Sequence, residues 1–229
     1  MSVIVANLQA VKNDIAAAAQ QAGREAGSVT LLAVSKTVPA ERVREAFQAG
    51  QRAFGENYVQ EGVEKIAALG DLRSQIQWHF IGPLQSNKTR PVAEQFDWVH
   101  AIDRLRIAER LSAQRPAGLA PLQVCIQVNI SDETTKSGVA PADVLPLARA
   151  VAALPHLQLR GLMAIPAPAA NAAAQRRPFA ALRELLDQLR QSGLNVDTLS
   201  MGMSADMDAA IAEGATLVRI GTAIFGARG

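Results

Sequence analysis

Lys36 occupies an unusual place in this sequence, because it ends the strongly apolar segment Leu31-Leu32-Ala33-Val34-Ser35-Lys36. The chain has only five lysines in 229 residues but eighteen arginines, so most of its positive charge comes from arginine. A lysine removed from water loses its proton easily and can then attack a carbonyl carbon to form a Schiff base, which arginine cannot do. The position therefore predicts a nucleophilic amine, with a lysine that merely starts a surface loop as the alternative.

Two segments near the end of the chain combine glycine with hydroxyl side chains. They are Ser200-Met201-Gly202-Met203-Ser204-Ala205-Asp206 and Arg219-Ile220-Gly221-Thr222. A glycine lets a phosphate approach the backbone, a hydroxyl donates to it, and a helix expected to begin near Ser204 adds free N–H groups. The segments predict phosphate binding, although ordinary turns at the glycines and a helix cap at Ser204 would use the same residues.

Other catalytic and metal motifs do not fit. Gly202-Met203-Ser204-Ala205-Asp206 approaches the G-x-S-x-G nucleophile elbow but lacks its second glycine. His79, His100 and His156 have neither H-x-x-x-H nor H-E-x-x-H spacing, and the single Cys125 lies in an apolar run, so we predict no metal site. His79 is expected to be a satisfied interior residue.

The elements that position these residues follow from eight short apolar runs. The runs are Thr30 to Ser35, Arg52 to Glu56, Trp78 to Gly82, Trp98 to Ile102, Leu122 to Ile130, Gln158 to Ile165, Thr198 to Met201 and Leu217 to Gly221. Several are apolar on both faces, which is typical of strands in a covered parallel sheet. The fifth run contains the lone cysteine, for which we expect a core-filling role.

Segments of helical period separate the runs. They follow Pro39, run from Asn57 to Leu69, from Ser86 to Gln95, from Asp103 to Gln114, from Pro141 to Leu154 and from Pro178 to Gln191. Eight strand–helix units predict a single α/β domain over residues 1–229, a closed (β/α)8 TIM-type barrel, with an open doubly wound sheet as the rival.

Only eight residues follow Gly221, too few for a full eighth helix, so we expect the N-terminal helical stretch Val3 to Ala22 to fill that gap. The alanine-rich segment from Pro166 to Ala174 is interpreted as a loop after the sixth strand. An inert insertion is the favoured interpretation of this loop, and a mobile lid is the alternative.

Composition narrows the class of protein further. The net charge of +2 is too small to favour a nucleic-acid partner, despite a pI near 9.0. The first residues, Met1 to Gln21, lack the pattern of a secretory signal, and no apolar stretch is long enough for a membrane span. With a single cysteine, these features predict a cytoplasmic protein.

A Schiff-base lysine after the first strand and a phosphate cradle after the seventh and eighth together indicate pyridoxal 5′-phosphate (PLP) as the cofactor, since barrels often hold phosphate in those two loops. The residues resemble the pyridoxal phosphate homeostasis protein family over nearly the whole chain. The matching motifs are Ala33 to Lys36, Phe54 to Tyr58, Trp78 to Lys88, Gly161 to Met163, Ser200 to Asp206 and Arg219 to Gly226. That family shares its barrel with the N-terminal domain of alanine racemase, the fold-type III group.

The resemblance implies a role for each candidate site residue. Lys36 would form the Schiff base, Arg219 would contact the pyridine nitrogen, and Asn57 would contact the ring region. The remaining residues would be the phosphate ligands Ser204, Gly221 and Thr222 and the pocket-lining Met201. The poorest match is the alanine-rich segment.

Several alternatives stay open. Lys88 and Lys136 are rivals for the Schiff base, because both lie in polar segments after strands. Along the eighth strand the period-two rule turns Arg219 inward with Gly221, yet Arg219 could instead form a buried ion pair with Glu56. If Arg219 contacts the pyridine nitrogen, it can only donate a hydrogen bond to that atom, which keeps the nitrogen unprotonated.

The resemblance implies a protein that holds PLP and balances its cellular pool without catalysis; the alternative is a PLP-dependent amino-acid racemase. A racemase needs a base on each face of the substrate carbon. In racemases of this fold the second base is a tyrosine from an additional domain, whereas this chain ends at Gly229 and its only tyrosine is Tyr58. We therefore expect a binding protein, with PLP-dependent apoenzymes as candidate partners. The resemblance also implies a monomer, since the racemases dimerise through the additional domain.

Overall fold

A closed eight-stranded barrel forms the centre of the protein. The computed structural model describes residues 2–131, 137–169 and 171–226. Its strands are β1 Thr30–Val34, β2 Ala53–Glu56, β3 Gln77–Phe80, β4 Trp98–Ile102, β5 Leu122–Gln127, β6 Leu157–Met163, β7 Thr198–Ser200 and β8 Leu217–Ile220. Neighbouring strands pair in parallel, and β8 returns to pair with β1. The predicted barrel is confirmed, and the open doubly wound sheet was the wrong alternative.

The helices cover the outside of the barrel. They are α1 Val3–Gln21, α2 Ala40–Gln48, α3 Val59–Ala68, α4 Thr89–Gln95, α5 Leu105–Gln114, α6 Val144–Ala152, α7 Ala172–Gln191, α8 Met207–Ala212 and α9 Thr222–Phe225. As expected, α1 fills the place of a full eighth helix, since it packs against α2, α8 and α9. The amide of Asn7 also donates to the carbonyl of Ile224 at 3.1 Å.

Several helix starts differ from the sequence predictions. Helices α4 and α6 begin at Thr89 and Val144, each after a 3-10 turn, rather than at Ser86 and Pro141. Helix α7 begins at Ala172, capped by Asn171, whose side chain accepts from the Ala174 N–H, so Pro178 lies inside the helix rather than at its start. The end of the alanine-rich segment is therefore helical. Helix α8 begins at Met207, and the residues from Ser204 to Asp206 form a turn before it.

The inside of the barrel contains both an apolar cluster and buried polar side chains. Leu32, Ala53 and Leu217 form a small apolar cluster between β1, β2 and β8. Because side chains alternate along a strand, the inward direction of Leu217 also turns Arg219 inward, and that of Leu32 places Val34, two residues before Lys36, on the inward face of β1. The remaining interior contains buried polar groups, including His79, His100 and Ser200.

No helix in the described part of the chain is long and apolar enough to cross a membrane.

Candidate functional site at the carboxyl end of the barrel

The candidate residues lie after four consecutive strands of the closed barrel. In order around the barrel these are β7, β8, β1 and β2, and we call their loops the mouth: residues 201–206, 221–222, 35–37 and 57–58. The carboxyl ends of all parallel strands meet at one face of the barrel, where (β/α)8 proteins carry their functional groups. All seven predicted site residues lie in β8 or in the mouth.

Lys36 lies beside the loop that follows β8. Ala33 pairs with Ile220 across β1 and β8, and a Cβ atom on Gly221 would lie 3.0 Å from the carbonyl oxygen of Val34. The close approach of the two backbones leaves room for little more than glycine at position 221. Lys36, which is half-buried, therefore follows β1 immediately next to Gly221 and Thr222.

The predicted phosphate ligands are exposed at the mouth. The side chains of Ser204 and Thr222 are open to solvent, and Thr222 begins α9. Gly202 has a φ of 97°, and an added Cβ there would lie 2.6 Å from the Cβ of Ala210. Asp206 turns this loop back on itself, because its Oδ1 accepts from the Met203 N–H at 2.6 Å.

Arg219 crosses the barrel interior with its side chain buried. Its Nη1 donates to the carbonyl oxygen of Ser200 at 2.6 Å and to the Ser200 Oγ at 2.8 Å, and its Nη2 donates to the carbonyl of Ala164 at 2.9 Å. Burial lowers the pKa of Arg219 to about 10, which leaves the guanidinium charged at neutral pH. The alternative ion pair with Glu56 does not form, since Glu56 bonds Lys65 instead.

A chain of hydrogen bonds leads from Arg219 into the barrel. Ser200 Oγ lies 2.8 Å from His100 Nδ1, and His100 Nε2 lies 2.9 Å from His79 Nδ1. Burial lowers the pKa of His79 to about 3 and that of His100 well below its usual value, with the charge of Arg219 adding to the latter shift. Both imidazoles are therefore neutral, and the chain adds no second charge to the interior.

The direction of these hydrogen bonds depends on the tautomers of the two histidines. Ser200 Oγ accepts from Arg219, and it can either donate its own proton to His100 Nδ1 or accept a second hydrogen bond from that atom. In both directions His79 Nε2 is a buried atom with no hydrogen-bond partner in the described residues. His79 was expected to be a satisfied interior residue, and only one of its ring nitrogens is.

Asn57 and Met201 follow β2 and β7, the outer two of the four strands that end at the mouth. Met201 is fully buried and belongs to the same apolar cluster as Leu199 and Val218. The Oδ1 atom of Asn57 is buried without a hydrogen-bond partner among the described residues, although the residue as a whole is half-buried. An unpartnered buried acceptor at the rim of the mouth is a group that a ligand donor would satisfy.

The backbone of Asn57 is held by Gly82, which follows β3. A Cβ on Gly82 would lie 2.2 Å from the Asn57 carbonyl oxygen and 2.8 Å from its carbonyl carbon, and neither backbone atom can move aside cheaply. We expect Gly82→Ala to lower the unfolding free energy by about 1–3 kcal/mol through overpacking, and to weaken PLP binding by displacing Asn57.

Thermal unfolding and a PLP titration measure both effects. Gly70→Ala is the matched control, because nothing lies within 4 Å of its added methyl group. Equal melting temperatures and affinities for the two variants would contradict the role of Gly82.

A buried ion pair that was not predicted from the sequence lies next to the ends of β1 and β2. Lys65 of α3 is buried, and its Nζ donates to Glu56 Oε1 at 2.7 Å, to Glu61 Oε1 at 2.9 Å and to the carbonyl oxygen of Ser35 at 2.7 Å. The sequence carried a signal, since Lys65 stands on the apolar face of α3 beside Gly62 and Ile66.

The other residues named from sequence have these positions. Tyr58 is 56% exposed, and Lys88 is exposed in a 3-10 turn after β3. Lys136 lies outside the described residues. Cys125 is a buried free thiol whose pKa burial raises to about 12, in keeping with core filling. Among the described residues no His, Cys, Asp and Glu cluster could hold a metal ion.

Taken together, the groups at the mouth are chemically suited to PLP. Lys36 supplies a primary amine, Ser204 and Thr222 supply hydroxyl donors beside a close-packed glycine turn, and Arg219 supplies an interior donor that stays charged. A closed (β/α)8 barrel with a lysine and a glycine–hydroxyl turn at its mouth places the protein in the class of alanine racemase-like barrels. Residues 6–229 match the family described as alanine racemase, N-terminal domain.

Curated relatives define the family more narrowly. The chain is 63% identical to the pyridoxal phosphate homeostasis protein of Pseudomonas aeruginosa over 228 residues, covering 100% of this chain and 97% of the relative. It is 58% identical to the protein of that name from Escherichia coli K12, covering 100% and 98%. The chain belongs to the pyridoxal phosphate homeostasis protein family, which confirms the resemblance.

A solved structure from the same group has its cofactor present. PipY of Synechococcus elongatus PCC7942, described as having PLP bound, is 39% identical and superimposes with a TM-score of 0.85, covering 97% of this chain and 100% of PipY.

Proposed function

We propose that this protein binds PLP at the mouth, holds it through a Schiff base with Lys36, and releases it again, as a contributor to the balance of the cellular PLP pool. The observation that carries the proposal is the position of Lys36 beside the Gly221–Thr222 turn, on two strands that pair directly. The PLP named in the PipY structure and the names of the curated relatives support it.

Each residue has a task in this proposal. When bound, PLP supplies an aldehyde that condenses reversibly with a primary amine and a pyridine ring that withdraws electrons. Ser204, Gly221 and Thr222 bind the phosphate, and Met201 lines the pocket. Arg219 donates to the pyridine nitrogen, and Asn57 accepts from a donor near the ring. The proposed setting is a monomer in the cytoplasm, which suits the free thiol of Cys125, with PLP-dependent apoenzymes as recipients.

The protein is proposed to hold its cofactor without catalysis. A racemase requires two positioned bases, each worth typically ~10²–10⁴-fold in rate. Lys36 is one candidate base, but Tyr58 is largely exposed. Arg219 donates from a buried, charged guanidinium and so opposes protonation of the ring nitrogen, which weakens the ring as an acceptor of electrons.

Deuterium exchange at the α-carbon of amino acids tests this distinction. We expect the PLP-loaded protein to exchange the α-proton of alanine and serine no faster than free PLP does, as followed by proton NMR. Lys36→Ala and Tyr58→Phe are the paired variants. Exchange at ordinary enzymatic rates that both variants abolish would establish the racemase in place of the binding protein.

A further inference from the structure

The buried group formed by Glu56, Glu61 and Lys65 has no part in the cofactor contacts proposed above. Lys65 and Glu56 are almost completely buried, and the carboxylate of Glu56 also accepts from the Ser35 hydroxyl at 2.5 Å. Burial raises the pKa of Glu56, while the charge of Lys65 and the Ser35 hydrogen bond oppose that shift. A buried ion pair contributes little to stability compared with apolar side chains of the same volume, so its placement calls for another explanation.

The contacts of this group lie on both sides of Lys36. The Lys65 Nζ donates to the carbonyl oxygen of Ser35, which belongs to the peptide bond that precedes Lys36. The Oε1 of Glu61 accepts from the N–H of Thr37 at 2.5 Å, which belongs to the peptide bond that follows it. Since Lys65 also bonds Glu61, one connected group anchors both peptide planes that meet at the Cα atom of Lys36.

The backbone after Lys36 has a conformation that needs such anchoring. Thr37 has a φ of 63°, in the left-handed region that β-branched residues rarely occupy. A residue in this region persists only when surrounding contacts hold it, and such residues gather at functional sites. The bond from Thr37 to Glu61 is a contact of that kind.

We propose that Lys65 and Glu61 are positioning residues for Lys36, a role that rests on the proposed Schiff base. Neither side chain is assigned to the cofactor. By fixing the peptides on both sides of the Lys36 Cα atom, they limit the directions in which its long, flexible side chain extends. The amine then spends more time within reach of the cofactor aldehyde, which raises the rate of condensation.

Two sets of variants separate the two anchors. Glu56→Gln with Lys65→Met removes the side-chain donor to the Ser35 carbonyl, which keeps the Val38 N–H as its backbone donor, without leaving a buried charge unpaired. Glu61→Ala removes the acceptor for Thr37 and one of the two carboxylate partners of Lys65, which keeps Glu56. The Glu61 side chain is 29% exposed, so we expect the barrel to stay folded. Glu61→Gln keeps an acceptor oxygen and is the rescue variant.

Arg115→Met is the matched control for general destabilisation. Arg115 is also a buried cation that donates to backbone carbonyls, those of Ala93, Phe96 and Ala120, but it lies at the end of α5, outside the mouth.

Two measurements report on the anchors. Amide hydrogen exchange at Thr37, followed by NMR without cofactor, should be faster in the double variant and in Glu61→Ala than in the wild type. The rate of Schiff-base formation, followed by visible absorbance after mixing with PLP, should fall about three- to tenfold, as expected for one lost hydrogen bond. Affinity for pyridoxamine 5′-phosphate, which has no aldehyde, should stay unchanged, and Glu61→Gln should restore both wild-type rates.

The result that overturns the proposal is wild-type Thr37 exchange and condensation rates in both the double variant and Glu61→Ala. Equal slowing in Arg115→Met would also overturn it, since general destabilisation would then be the cause. Failure of the proposed function would give a different result. Peptide mapping would then find PLP attached to another lysine. The exchange of the Thr37 amide, measured without cofactor, would still show whether Lys65 and Glu61 hold the backbone around Lys36.

Discussion

Replacing Lys36 with alanine is expected to abolish the covalent attachment of PLP while the barrel stays folded. The side chain is half-buried and follows a strand that remains paired to β2 and β8, so its loss removes a nucleophile rather than a core contact. The visible Schiff-base band should disappear, and PLP affinity should fall by at least about tenfold, or 1.4 kcal/mol. Borohydride reduction followed by peptide mapping measures the attachment site directly.

The other lysines provide the controls for this experiment. Lys12 lies near Gly50, at the opposite end of the strands, and Lys65 is engaged in its ion pairs. Lys88→Ala tests the remaining lysine of the described chain, and Lys136→Ala tests the rival that lies outside it. A reduced adduct found mainly on Lys136 or Lys88 in the wild-type protein would show that the assignment of Lys36 is wrong.

The barrel could be predicted from sequence because several of its strands are apolar on both faces and alternate with helical segments. Such runs mark strands covered by helices, and eight strand–helix units leave few alternatives. Strand ends were harder to predict, since Ser35 and Met201 are buried just past β1 and β7 and are not distinguished by burial from the strand residues before them. The start of α7 was misplaced because Pro178 resembles a first helical residue, whereas the alanines before it carry no periodic signal.

The interior polar groups could be predicted only in part. Arg219 was expected to face inward from the alternation along β8. Its partners come from the ends of β6 and β7, which the sequence does not align with it. The hydrogen bonds between His79, His100 and Ser200 likewise join β3, β4 and β7 across the barrel. Contacts of this kind depend on strand stagger and closure, which single-sequence patterns leave undetermined.

Arg219→Glu is expected to change the state of the bound cofactor more than any other substitution in the interior. In the proposed contact, the wild-type guanidinium can only donate to the pyridine nitrogen, which keeps that nitrogen unprotonated. A glutamate carboxylate at the same position accepts a hydrogen bond from a protonated ring nitrogen and stabilises that form, so the visible spectrum of the PLP-loaded protein should shift. The substitution also removes the side-chain donor to the buried Ala164 carbonyl, at about 1–3 kcal/mol, so a lower melting temperature is expected. The Ser200 carbonyl loses one donor and keeps the Ala164 N–H at 3.3 Å.

Arg219→Met separates the two effects, because it removes the donor without supplying an acceptor. It should destabilise the barrel to a similar degree and weaken PLP binding, yet leave the ring nitrogen unprotonated and the band position unchanged. Absorbance spectra at matched saturation, with thermal unfolding of both variants, make the comparison. If folded Arg219→Glu retained the wild-type spectrum and affinity, Arg219 would be a structural residue that joins β8 to β6 and β7, and the proposed lack of catalysis would lose its support from Arg219.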